Sequence, residues 1–344
     1  MVGRVLLIGS GSIGRRHLAN VREALPEATV TLLRRPGAGP LDPVVAAAVD
    51  RVTDRLEDAL GANPELAIVA GPAPTHVAHA SALADAGVPM LIEKPLSVDL
   101  DGCVDLASRV RASAVPVVVG YTLRYHPAFL ALEDALRAGA IGRPLLLRAE
   151  AGQYLPDWRP GVDYRTTVTA QRRLGGGPLL ELSHELDLAR ALLGTPVSVS
   201  AQLSRVGDLE IDTEDTVDLV LRHPPGRDGE RAADEPVSSI HLDLLQRPFR
   251  RTLRVTGTEG TLELDLVAAT LRRISNDGSV AALPFRRPSD RNDLYRAELA
   301  DLLGAIDGAA PHVGIDDGIE TMRIIDAARR SDAVGSAVGV GTAA

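Results

Sequence analysis

The 344 residues, 45% hydrophobic and 24% charged, have the composition of an ordinary globular protein and enough length for two cores rather than one. A net charge of -9 argues against nucleic acid or an anionic membrane surface as the main partner, and no apolar run approaches the ~20 residues of a bilayer-spanning helix. A single cysteine, Cys103, excludes an intramolecular disulfide and fits a reducing cytoplasm.

The first apolar run, Arg4–Ile8, is short and ends on a glycine. It fits a buried parallel strand and not a signal peptide, because no small-residue cleavage site follows it. A helix is expected from Gly11 or Ser12 to about Ala24, then a second strand over Thr29–Leu33. Between the first strand and the helix lies Gly9-Ser10-Gly11-Ser12-Ile13-Gly14. A G-x-G-x-x-G turn in that context is a dinucleotide-binding fingerprint. Gly9 makes the tight turn, Gly11 lets the backbone approach the pyrophosphate, and Gly14 lets the helix pack closely on the strand. The N–H groups at the helix start, around Ser12 and Ile13, are aimed at the phosphates. About 20 residues on, an acid usually binds the ribose of NAD. Here the second strand runs into Arg34-Arg35, whose planar guanidinium forks suit a 2′-phosphate. This tilts the cofactor from NAD toward NADP, with Asp42 as the competing ribose ligand.

Further strands are expected over 66–70 and 89–92, separated by a helix over 75–86. Gly71-Pro72-Ala73-Pro74-Thr75-His76 and Glu93-Lys94-Pro95 each sit just past the carboxyl end of a strand, where open α/β sheets bind ligands. Gly71, Pro72, His76, Glu93 and Lys94 are therefore candidate cofactor contacts. Beyond Gly120 the pattern changes. A helix over 127–138 precedes β-like stretches at 144–151, 197–203, 216–221, 238–244, 252–255 and 261–266. Helical stretches fall at 179–193, 293–306 and 315–328. Strands in series with few helices between them give an antiparallel sheet. The polar stretch 224–236 reads as a surface loop, and residues after Gly335 as an unanchored tail. The expected architecture is an α/β Rossmann domain over 1–121, an α+β domain with an open, mainly antiparallel sheet over 122–335, and a tail over 336–344.

Lys94 is the only lysine in the chain; every other basic residue apart from histidine is arginine. Position 94 therefore calls for something arginine lacks. The clearest candidate is an amine that can be tuned by burial to exchange protons near neutrality. Aromatic residues are scarce, yet Tyr121, Tyr125, Phe129, Tyr154, Trp158 and Tyr164 fall close together in the chain. Flat rings with polar tips suit the faces and hydroxyls of a sugar, and equally suit a domain junction. Arg159, Arg165, Arg172 and Arg173 give the same region positive charge, which points to an anionic substrate or to a solvated loop. No His/Cys/Asp/Glu grouping has metal-ligand spacing, so no metal is expected.

Taken together, these motifs resemble the family of glucose–fructose oxidoreductase, inositol dehydrogenase and the rhizopine-catabolism oxidoreductases. The likeness rests on Gly9–Gly14, the Pro72-x-x-x-His76 loop, Glu93-Lys94-Pro95, and Gly175-Gly176-Gly177 followed by His184-Glu185-Leu186-Asp187. It extends to Leu123-Arg124-Tyr125-His126-Pro127, Tyr295-x-x-Glu298 and Asp316-Asp317-Gly318, and so covers nearly the whole chain. The resemblance implies NAD(P)-dependent oxidation or reduction of a sugar, cyclitol or related polyol, and a second-domain sheet that often forms a homo-oligomer interface, in a dimer or tetramer. It maps the lysine near nicotinamide and substrate onto Lys94, and the second-domain histidine onto His184. The family's Asp four residues before that histidine is replaced by Leu180, with Glu181 three before. On a helix, residues i and i+3 share a face, so Glu181 can orient or charge-balance His184; the other reading is that the carboxylate role is missing.

The expected reaction is hydride transfer between a carbinol carbon and nicotinamide, with Lys94 and His184 handling the hydroxyl proton. Arg124, Tyr125, Tyr154, Trp158 and Arg165 are the candidate substrate contacts, beside Lys94 and His184. His17, His79, His223, His241 and His312 are assigned structural or solvated places. Two other readings stay open: transient oxidation that enables elimination or hydrolysis of a sugar without net redox change, and a nucleotide sensor without chemistry.

Overall fold

The computed structural model describes residues 2–225 and 235–341. Most of the surface loop expected at 224–236, and the end of the tail, lie outside the described residues. The chain divides into two compact units, residues 1–122 with 289–319, and residues 123–288 with 320–344.

The first unit holds β1 (Arg4–Ile8), α1 (Ser12–Ala24), β2 (Thr29–Leu33), α2 (Pro43–Ala47), β3 (Arg51–Thr53), α3 (Leu56–Gly61), β4 (Leu66–Val69), α4 (His76–Asp85), β5 (Met90–Ile92), α5 (Cys103–Ser113) and β6 (Val117–Val119). Its six strands are parallel in the order β3-β2-β1-β4-β5-β6, the Rossmann order. Val5, Leu6, Leu7 and Ile8, all of β4, and all of β5 are buried. Strands covered on both faces read as unbroken apolar runs, which is why the sequence showed them plainly.

The second unit holds α6 (Pro127–Arg137), β7 (Pro144–Gly152), α7 (Pro178–Glu181), α8 (His184–Leu193), β8 (Ser198–Ser204), β9 (Thr216–Arg222), β10 (Val237–Asp243), β11 (Arg250–Gly257), β12 (Gly260–Asp265), β13 (Thr270–Ser275) and β14 (Val280–Ala282). Helices α9 (Asn292–Ile306) and α10 (Ile315–Val334) and the two-residue β15 (Val338–Gly339) complete the chain. The nine-stranded sheet, order β14-β13-β12-β11-β7-β10-β9-β8-β15, is antiparallel except at β10–β7. Residues alternate across it: Val217, Leu219 and Leu221 of β9 are buried, whereas Asp218, Val220 and Arg222 are exposed. Among the described residues no helix is long and apolar enough to cross a membrane.

Three expectations change. Residues 289–319, assigned by chain order to the second domain, belong to the first unit, where Leu299 and Leu302 of α9 enter one apolar cluster with Leu18 and Val21 of α1 and Val30 of β2. The tail is anchored, because Val338 and Gly339 pair with Val199 and Ser198 on β8. The single helix expected over 179–193 is two helices, α7 and α8, interrupted at Leu182-Ser183.

On the solvent face of the sheet His241 bridges two carboxylates, with Nδ1 2.8 Å from Asp218 and Nε2 3.4 Å from Asp243. Its pKa rises from 6.5 to about 9, chiefly through Asp243, with Asp218 adding to it and partial burial opposing. A cation held in this way contributes stability that is fully present below pH 6.5 and is lost as pH rises through about 9. The urea midpoint advantage of the wild type over His241→Gln should therefore shrink between those values; a constant difference would contradict the assignment.

Candidate functional site

In the first unit, the carboxyl ends of β1 and β4 bring the fingerprint and the 71–76 loop together. Gly9 has φ 100°, and a Cβ there would lie 2.6 Å from the Ala70 carbonyl oxygen and 2.8 Å from Gly71 Cα. At Gly14 a Cβ would fall 2.2 Å from the Gly9 carbonyl oxygen, so the first turn of α1 packs directly on the turn. At Gly11 a Cβ would meet nothing within 4 Å. Gly11 is also the N-cap of α1, with no side chain bonded to the cap, and Ser12 is exposed. Unclaimed N–H groups facing open space at a helix start suit a pyrophosphate. The residues present therefore fit the dinucleotide that the fingerprint implies.

Arg34 follows β2, whose last residue, Leu33, accepts a hydrogen bond from Gly9 N–H at 3.0 Å. Arg34 Nη2 donates to the Gly39 carbonyl at 2.8 Å, and Arg35 is exposed. Asp42, the competing ribose ligand, is already engaged. One of its oxygens accepts from Val44 N–H as the N-cap of α2, and the other is paired with Arg15 at 3.0 Å. At this edge arginines stand where the ribose-binding acid is usual.

Two of the expected cofactor contacts turn inward. His76 is 1% exposed, with Nδ1 3.0 Å from the Pro95 carbonyl and Nε2 2.9 Å from that of Gly71. It clasps the two ligand-side loops and does not itself face the cofactor surface. Burial, its largest influence, holds its pKa below the ordinary value, while the two carbonyls act against it. Glu93 is buried against His17, Oε1 to Nε2 at 2.6 Å. Lys94, by contrast, is partly exposed at the carboxyl end of β5, on the peptide joining it to Pro95. Among the described residues one group of three has metal-like side chains close together: His17, Glu93 and Glu298, within 4.8 Å of one another. They are far apart in sequence, so spacing could not reveal them.

In the second unit His184 opens α8 and is 8% exposed. Glu181 ends α7 and His184 begins α8, with Leu182-Ser183 between them. Helix α8 is held by buried ion pairs. Glu185 receives two hydrogen bonds from Arg251, at 2.7 and 3.1 Å, and fully buried Asp187 pairs with Arg190 at 3.0 Å and Arg124 at 3.6 Å. Arg124 is thus part of the support for the His184 helix. Tyr125 is partly exposed beside it in sequence.

Tyr154 and Trp158 pack on a small cluster of Leu155, Ala170, Leu209, Ile211 and Leu244. The Tyr154 ring carries the Arg247 guanidinium 3.1 Å from its centroid, and Trp158 Nε1 donates to the Gln153 carbonyl. The cavity bounded by Trp158, Arg159 and Tyr164 measures only about 10 Å³, room for a water and not for a sugar. Arg165 is paired with both Asp163 and Glu210, at 2.9 Å each. Its charge is spent locally, which weakens the argument for an anionic substrate.

Known proteins match this arrangement. Residues 3–121 match the model of the oxidoreductase family with an NAD-binding Rossmann fold, and residues 129–263 match the GFO/IDH/MocA C-terminal domain. The chain belongs to this family. It is accordingly an oxidoreductase with an NAD-binding domain, as the sequence resemblance implied. Inositol 2-dehydrogenase of Acidothermus cellulolyticus is 28% identical, over 93% of this chain and 92% of that protein. D-xylose 1-dehydrogenase (NADP(+)) 2 of Haloferax volcanii is 28% identical, over 82% of each. Levoglucosan dehydrogenase, solved with NADH and levoglucosan, shares the fold with a TM-score of 0.81 at 22% identity, over 99% of this chain and 100% of that one.

The packing at Gly14 makes a direct prediction. Gly14→Val should weaken NADH and NADPH binding by at least tenfold in a fluorescence titration, since α1 must move off the turn; binding unchanged within twofold would show that α1 does not form the cradle.

Proposed function

We propose that this oxidoreductase transfers hydride between nicotinamide and a carbinol or carbonyl carbon of a sugar, cyclitol or sugar nucleotide, with Lys94 and His184 handling the proton. The observation that carries the reading is the chain's only lysine, partly exposed at the carboxyl end of β5 on the ligand side of the Rossmann sheet. Substrates named for the relatives, inositol, xylose and levoglucosan, all present ring or chain hydroxyls.

The bound nicotinamide supplies or accepts the hydride. The residues of the chain deal with what remains. Losing hydride from an alcohol builds positive charge on carbon unless the hydroxyl proton leaves as well, so a base within hydrogen-bond reach of that oxygen is required. We assign this to the Lys94 amine, which returns the proton in the reductive direction. His184, carried at the start of a helix locked by the Arg251–Glu185 and Arg124–Asp187–Arg190 pairs, is the second proton-handling group. The 71–76 and 93–95 loops, clasped by His76, keep the lysine at a fixed place relative to the glycine turn. Arg34 and Arg35, with Asp42 already engaged, favour NADP over NAD.

Lys94→Arg keeps charge and length but removes an exchangeable amine. It should bind cofactor as the wild type does and lose about 100-fold or more in kcat on whichever polyol a panel of sugars, inositols and sugar nucleotides identifies; wild-type turnover would sink the mechanism. Arg34→Ser should shift the ratio of NADPH to NADH dissociation constants at least tenfold in favour of NADH. No shift would mean that the arginine does not meet a 2′-phosphate.

A further inference from the structure

Behind Lys94, within the first unit, lies a polar cluster in an otherwise apolar setting. Glu298 stands on α9 among Leu294, Leu299 and Leu302, all buried, and is itself 0% exposed. Neither of its carboxyl oxygens has a hydrogen-bond partner, and nor does His17 Nδ1. The other ring nitrogen of His17 is held by Glu93 at 2.6 Å, and Gly120 leaves just enough room for that side chain, since a Cβ there would lie 3.0 Å from Glu93 Oε2. Tyr295, one turn before Glu298, meets His17 edge-on with centroids 5.7 Å apart, and Arg16 covers the tyrosine ring at 4.7 Å.

Two occupants could balance such a cluster, a metal ion or a proton. Two ligands on one zinc-sized ion stand about 3 Å apart or more, given bonds of about 2.0–2.2 Å. The 2.6 Å between His17 Nε2 and Glu93 Oε1 is shorter and is that of a direct hydrogen bond. The proton is favoured. A lone ionised carboxylate out of water is far costlier than a neutral carboxyl, and both charges acting on Glu298, those of Glu93 and Asp301, are negative. Arg16 and Arg291 act on Tyr295, and His76 feels Glu93; none of the three acts on Glu298.

We propose that Glu298 remains protonated in the folded enzyme and is a positioning residue for Lys94, acting through Glu93. With Glu298 neutral, Glu93 is the single carboxylate facing His17, and its backbone, with Glu93 N–H bonded to the Val69 carbonyl at 2.9 Å, carries the next residue, Lys94, to the ligand side of the sheet. Ionising Glu298 sets two carboxylates against each other and pushes the 93–95 turn out of place. Burial, Glu93 and Asp301 all hold the Glu298 pKa well above 4.5, which agrees with this assignment. The inference deepens the role given to Lys94 above and rests on that reading for its catalytic meaning.

Because Lys94 is the only lysine, its position can be read without a substrate. The rate at which an amine-reactive reagent labels Lys94, followed on its own peptide by mass spectrometry, should change at least threefold in Glu298→Ala and be restored to within twofold of wild type in Glu298→Gln. Equal rates in all three proteins would overturn the positioning role. Protonation is tested separately. Folded Glu298 keeps a proton that the unfolded chain has released, so the folding equilibrium constant of wild type should fall relative to Glu298→Gln as pH rises from 5, approaching tenfold per pH unit until folded Glu298 ionises. A pH-independent ratio would overturn it, as would stabilisation of wild type by added Zn²⁺ or Mg²⁺ that the glutamine variant lacks. Should the glutamine variant not fold, the infrared band of a buried neutral carboxyl in wild type at pH 8 decides, its absence counting against the proposal. Lack of turnover on every polyol would refute the proposed function and leave these measurements intact.

Discussion

Covering both faces of the parallel sheet constrains everything else in the first unit. Strands β1, β4 and β5 present apolar side chains to helices on either side, so water and ligand meet these central strands at the loops beyond their ends. The glycine turn, Arg34, the 71–76 loop and Lys94 all lie there, whereas side chains of the edge strand β3 are exposed. The loops must also hold their shape against the solvent they face. Here the buried His76 does so from beneath, joining the carbonyls of Gly71 and Pro95 with one ring.

Much of this could be read from the residues. Apolar runs ending on glycine marked β1 and β4, and the sharp punctuation of the fingerprint marked the start of α1 to within one residue. Other elements left little trace. In β13 only Leu271 is buried, β14 is exposed throughout, and β15 is two residues long. Strands at or next to the sheet edges are held by backbone hydrogen bonds, which carry no side-chain signature. The break between α7 and α8 was hidden by an apolar run that suits one helix as well as two.

The candidate site was legible where a residue's oddity lay in the chain itself and not where it lay in space. Lys94 is conspicuous as the only lysine. The meeting of His17, Glu93 and Glu298 joins three distant segments, and no local pattern announces it. One signal did exist: an acid within the Leu294, Leu299, Leu302 stripe of α9, where helical periodicity calls for an apolar side chain. In the second unit, Arg124 and Arg165 drew notice as charges for a substrate, whereas each is matched by carboxylates of the protein. A buried pair such as Asp187 with its two arginines adds little net stability, yet losing one partner typically costs about 3–5 kcal/mol, so it fixes α8 firmly in one register.

The return of residues 289–319 to the first unit has a consequence for how the chain is made. All six strands of the parallel sheet leave the ribosome before residue 120, but the cluster formed by α1, β2 and their neighbours also contains Leu299 and Leu302. That face stays uncovered until α9 is synthesised, after the whole nine-stranded sheet except β15. The dinucleotide-binding unit is thus begun first and closed almost last, and a fragment ending near residue 122 would expose an apolar surface that the intact protein never shows to water.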